Sequence, residues 1–140
     1  MMPEPGGLDR LLDDLVRRVP GAEQVIVLSS DGLLVGRSRT LGRDDGEHLS
    51  AVASGLQVLA RGASRHFGSG SVRQTVVEMD NRYLVVTSGD TGTCLAALAA
   101  VDVDLGLLVY EMNLLVQRVG ADLGAQARRS EADAGVRWNG

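Results

Sequence analysis

The chain has 140 residues, a net charge of −4 and 44% hydrophobic residues, the size and balance of one globular domain that needs no disulfide or metal to fold. All 14 basic residues are arginine, which excludes a P-loop lysine, a Schiff-base lysine and a kinase phosphate-binding lysine. Four aromatic residues and a pI near 5.1 leave neither the charge nor the stacking platforms of a nucleic-acid binder.

Residues 1–7, with two prolines and two glycines, are expected to be a flexible leader. Leu8, Leu11, Leu12, Leu15, Val16 and Val19 then recur on one helical face, and Pro20-Gly21 ends that helix. Gln24 to Ser29 and Leu33 to Ser38 are apolar runs separated by Asp31-Gly32, two residues that tolerate positive φ and signal a hairpin. Asp44 is placed to cap a second helix, with Glu47 reaching back three residues later as in a capping box. This helix runs to about Phe67 and stops at Gly68-Ser69-Gly70. Its face of Leu49, Val52, Ala53, Leu56, Leu59, Ala60, Ala63 and Phe67 is expected to pack on its own domain. A second stripe holds His48, Ala51, Gly55, Val58 and Gly62. Glycine costs about 1 kcal/mol inside a helix, so two on one stripe suggest the close approach of another backbone. Three strands follow, Val72 to Met79, Tyr83 to Ser88 and Thr93 to Ala100, separated by Asp80-Asn81 and Asp90-Thr91-Gly92. Beyond Asp102, Leu105, Leu108, Val109, Met112, Leu115, Val116, Val119 and Leu123 return to helical spacing. The folded domain is expected to end near residue 125. Residues 126–140 are expected to form a disordered tail, with Trp138 exposed or docking.

The order is therefore α-β-β-α-β-β-β-α, an α/β (α+β) protein. Val25–Leu28, Leu84–Val86 and Leu95–Ala99 are apolar at successive positions, so both faces of the sheet must be covered. The long middle helix is expected on one face and the two terminal helices on the other.

Chemistry-bearing motifs are sparse. Asp90-Thr91-Gly92 matches the aspartic-protease signature, but those enzymes are all-β and pair two such carboxylates; here the string reads as a turn. His48 and His66 lie 18 residues apart on one helix, about 27 Å, too far to share a metal. Asp102 or Asp104 suits the start of the last helix, where the dipole favours negative charge. Cys94, the single cysteine, cannot form an intrachain disulfide and reads as a small core residue. Arg61, Arg65 and Arg73 form a basic cluster near the end of the middle helix. They are candidates for phosphate or acidic-partner contact, or else a solvated surface. No apolar run approaches a membrane span and the N-terminus lacks the pattern of a signal peptide, so a cytoplasmic location is expected. A compact module without a credible active site or cofactor site points to binding.

Several strings in order resemble the roadblock/LC7 family, in its stand-alone bacterial form. They are Val19-Pro20-Gly21-Ala22, Val27 to Val35, Ala51-Val52-Ala53-Ser54-Gly55-Leu56 and Val77-Glu78-Met79. Arg43 to Leu49 and Gly70 to Thr75 look like the actinobacterial, conservon-type branch. The resemblance covers about residues 8–125. It implies a profilin-like fold, a five-stranded antiparallel sheet between one long helix and two terminal helices. It also implies a homodimer formed by the middle helices and third strands, with His48, Ala51, Gly55, Val58, Gly62, Val72, Gln74 and Val76 at the interface. It implies no enzyme activity and no cofactor. The implied role is to bind a Ras-like small GTPase and modulate its nucleotide cycle. The alternative is a passive scaffold joining a sensor-kinase-like protein and a GTPase in a complex recruited to the membrane through its partners.

Overall fold

The structure, a computed structural model, describes residues 7–121. The expected tail, Trp138 and the expected helix end beyond Leu123 lie outside those residues, as does all of the expected leader but Gly7, which opens the first helix. Helix α1 spans Gly7–Arg18 and is followed by strands β1 (Ala22–Leu28) and β2 (Leu34–Arg37). Helix α2 spans Arg43–Phe67, and strands β3 (Gln74–Glu78), β4 (Arg82–Ser88) and β5 (Cys94–Ala100) come next. Residues 105–121 form the last helix, α3. The strands make one antiparallel sheet in the order β2-β1-β5-β4-β3.

Local chemistry fixes the connections. Gly21 follows α1 at φ +95°, and a Cβ there would sit 3.0 Å from the Val103 side chain, so the position needs glycine for both conformation and space. The β1–β2 and β4–β5 turns share one design. Gly32 and Gly92, both at φ +85°, donate their N–H groups to the carbonyls of Ser29 and Gly89. Asp31 does not share the positive φ: the left-handed conformation falls on the glycine alone, which adopts it at no steric cost. Asp104 caps α3, its Oδ1 accepting the Leu107 N–H at 3.1 Å, three residues into the helix as an N-cap should.

The doubly apolar strands bury both faces of the sheet, as two-sided coverage requires. On one face Val25, Val27, Val85, Leu95, Ala97 and Ala99 meet α1 through Leu12 and Leu15 and α3 through Leu108, Met112, Val116 and Val119. On the other, Ile26, Leu28, Leu84, Val86, Cys94 and Ala96 lie against α2. Cys94 is buried there, as its strand position suggests.

Helix α2 departs from the sequence expectation twice. Its N-cap is Gly42 in extended backbone with no side-chain cap, not Asp44. The chain turns helical one residue before Asp44, with Gly46 N–H donating to Gly42 O at 2.9 Å. Glu47, instead of reaching back to a cap, accepts from Arg43 at 3.1 Å, and Asp44 and Asp45 fall in the first turn, where the dipole favours them. The buried side is also rotated from the apolar face expected. Gly46, Leu49, Ser50, Ala53 and Gln57 are buried, whereas Val52, Leu59, Ala63 and Phe67 are exposed. Small residues at 46, 50 and 53 let the helix lie close to the sheet, and close contact fixes the rotation. Among the described residues no helix is long and apolar enough to cross a membrane.

Candidate functional site

Twenty-five residues of α helix measure about 37 Å, while five strands span about 19 Å across their hydrogen bonds. The sheet therefore covers only part of α2. The apolar residues left over are large: Leu59 is 73% exposed, Phe67 76% and Val58 55%. A lone exposed Leu is ordinary, but a continuous exposed apolar face marks an interaction surface. His48, Ala51 and Gly55 lie on this outer side and are exposed, and Gly62 is half-buried. A Cβ added at Gly55 or Gly62 would meet nothing within 4 Å. These glycines therefore serve no close packing inside the chain.

Strand β3 lies at the sheet edge next to this helix. Ser88 N–H donates to Arg73 O and Met79 N–H to Arg82 O, so odd-numbered residues of the strand point their backbone groups toward β4. Gln74, Val76 and Glu78 point theirs outward. No hydrogen bond among the described residues covers those outward groups. Val76 is 40% exposed, Gln74 is exposed and Val72 is half-buried just before the strand. Seven of the eight residues expected at an interface thus fall on two neighbouring elements that leave apolar surface and a backbone edge open, and Val72 lies just before the second. Val52, Leu59, Phe67 and Met79 are exposed as well and add to that surface, although the first three are expected in the chain's own core. For the three on α2, the length of the helix against the width of the sheet is the signal that exposes them.

The two histidines occupy exposed positions on α2, and His66 packs edge-on to Phe67. Asp90 sits in the β4–β5 turn, and that turn accounts for the whole Asp-Thr-Gly string. Among the described residues no group of three His, Cys, Asp or Glu side chains is arranged to hold a metal ion. Arg61, Arg65 and Arg73 are all exposed, and no carboxylate among the described residues lies within ion-pair distance of any of them. Arg61 and Arg65 line one cleft with Ser64, Ser88 and Asp90; Arg73 does not. Buried Gln57 stands behind this cleft: its Nε2 donates to Ser88 Oγ, and its Oε1 accepts from Thr75 Oγ1 at 3.2 Å. The bonds tie α2 to β3 and β4 and satisfy an amide that burial would otherwise penalise.

Comparison with known proteins places the chain in a family. A crystallised Roadblock/LC7 domain from Streptomyces avermitilis is 44% identical, with a TM-score of 0.78, over 82% of this chain and 96% of the other. A second such domain from the same organism is 38% identical, with a TM-score of 0.65, over 80% and 97%. MglB of Myxococcus xanthus shares the fold at 16% identity, with a TM-score of 0.74, over 88% and 99%. A search of curated proteins gives no significant match. The sequence matches the Roadblock/LC7 domain over residues 8–99, and the chain belongs to that family.

Proposed function

We propose that this protein is a homodimeric regulator of a Ras-like small GTPase, acting by binding and not by catalysis. Two copies pair along β3 and the outer face of α2. The resulting dimer binds the GTPase and modulates its nucleotide cycle in the cytoplasm, recruited to the membrane through partners such as a sensor-kinase-like protein. The observation that carries the dimer is the coincidence, at one side of the molecule, of an apolar helix face, a glycine stripe with free space above it and an open strand edge. A second copy satisfies all three at once, because antiparallel pairing of β3 with β3 supplies the missing hydrogen bonds and brings the two α2 helices together. Family membership supports the GTPase, since roadblock/LC7 proteins serve as regulators or scaffolds of Ras-like GTPases.

The test is a lysate pull-down with the purified protein, run with GDP or with a non-hydrolysable GTP analogue, followed by mass spectrometry. A Ras-like GTPase retained more strongly in one nucleotide state is the expected result, and its turnover with and without this protein then measures the regulation. Partners retained regardless of nucleotide favour the passive scaffold. Absence of any GTPase in both states overturns the reading.

A further inference from the structure

The side of α2 that faces the sheet runs through Gly46, Ser50, Ala53 and Gln57. Helical spacing puts Arg61 and Ser64 on that same side one and two turns later, where an apolar residue is the ordinary choice. Instead of core there is an open cavity of about 320 Å³ between the end of α2, the segment 70–72 and the β4–β5 turn.

Arg17, Arg18, Arg39, Arg43 and Arg82 each face a carboxylate. Among the described residues Arg61 and Arg65 have none, which is also true of Arg37, Arg73 and Arg118, but of these five only Arg61 and Arg65 line this cavity. Position at the helix end accounts for Arg65, in the last turn where the dipole favours a cation, but not for Arg61. The N–H groups of Gly68 and Ser69 already cap the carbonyls of Arg65 and Ser64, and Arg61 lies more than a turn from the end, past the reach of the dipole. Ser64 Oγ donates to the Gly70 carbonyl and holds the cavity wall in place. Ser88 Oγ accepts from Gln57 Nε2 and from the Cys94 thiol, which leaves its own hydroxyl proton free to donate. Among the described residues Asp90 is the one carboxylate lining the cavity, and it forms no ion pair with either arginine.

Two guanidinium groups and a hydroxyl donor suit a phosphate dianion. An unpaired carboxylate in the same cavity suits a hydroxyl on the same ligand. We propose that this cleft binds a small sugar phosphate, with its phosphate on Arg61 and Arg65 and a sugar hydroxyl on Asp90. The site is independent of the GTPase reading, and its test uses no GTPase.

The full chain, labelled with nitrogen-15, is titrated at constant ionic strength with inorganic phosphate and, separately, with ribose 5-phosphate, and amide shifts are followed. Both probes are expected to give saturable shifts confined to residues 61–72 and 88–94, with ribose 5-phosphate binding several-fold more tightly. An Arg61→Ala/Arg65→Ala double variant is expected to weaken both by roughly tenfold or more. Asp90→Ala removes only the preference for the sugar phosphate, and Arg118→Ala, on α3, changes neither. Shifts that fail to saturate, spread over arginines outside the cleft or survive the double variant overturn the site. Equal binding of the two probes, unaltered by Asp90→Ala, overturns the sugar and leaves a bare anion site. Binding of hexaglutamate at this cleft with no response to either phosphate overturns the small molecule in favour of an acidic protein segment.

Discussion

At the β2 edge of the sheet, helix α1 covers the N–H of Arg37, the last residue of β2, and that of Arg39 just beyond it. Asp9 Oδ1 accepts from Arg37 N at 3.0 Å and Asp13 Oδ1 from Arg39 N at 2.7 Å. The two carboxylates sit four residues apart on one helical face and meet N–H groups two residues apart at the end of β2 and just past it, so α1 blocks this end of the edge. Gly36 makes this possible, because a Cβ there would stand 2.8 Å from Leu8 Cδ2 and 3.1 Å from Asp9 Oδ1. At the β3 edge, Gln74, Val76 and Glu78 present the same kind of groups with no such cover among the described residues. An uncovered edge invites pairing with another chain. One edge is partly covered from within and the other has no such cover among the described residues, an asymmetry that under the proposed dimer favours pairing at β3.

The largest test of that contrast is Val76→Pro. Val76 N–H points outward, so proline removes no bond within the chain yet blocks pairing along the edge. Light scattering is expected to show a monomer, with dimer affinity down about a hundredfold or more, while circular dichroism stays native. A dimer that survives this change places the partner elsewhere. Opening the covered edge comes next. The double variant Asp9→Ala/Asp13→Ala is expected to lose about 2 kcal/mol in urea unfolding, about 1 kcal/mol for each lost bond, and to gain a tendency to aggregate. Gly36→Ala pushes α1 off the same edge by crowding and should cost about 1 kcal/mol in the same assay. Gly55→Ala has the opposite sign. With open space above it, alanine should stabilise the isolated fold by about 0.5–1 kcal/mol while weakening the dimer measured by dilution. A gain in both stability and dimer affinity removes Gly55 from the interface.

Much of this architecture was legible in residue order. Period-3.6 and doubly apolar runs gave three helices and five strands, Gly21, Gly32 and Gly92 marked three connections, and Asp102 or Asp104 marked the start of α3, where Asp104 proves to be the cap. The candidate interface stripe from His48 to Gly62 was legible too, because glycine in a helix is a local anomaly. The orientation of α2 was not. Apolar residues cover more than half its circumference, so several rotations satisfy the pattern. The choice fell to small side chains at 46, 50 and 53 that admit close contact with the sheet.

What sequence by itself determined is local: where each element starts, what turns it, and that the sheet needs cover on both faces. These follow from short-range sterics and from periodicities read within one element. Tertiary structure alone decided which edge is covered, which side of α2 stays bare and that Arg61, Arg65 and Asp90 share a cleft. Those facts depend on the pairing of β1 with β5 across some seventy residues, which places β2 and β3 at opposite edges, and no local pattern records a contact made at that separation.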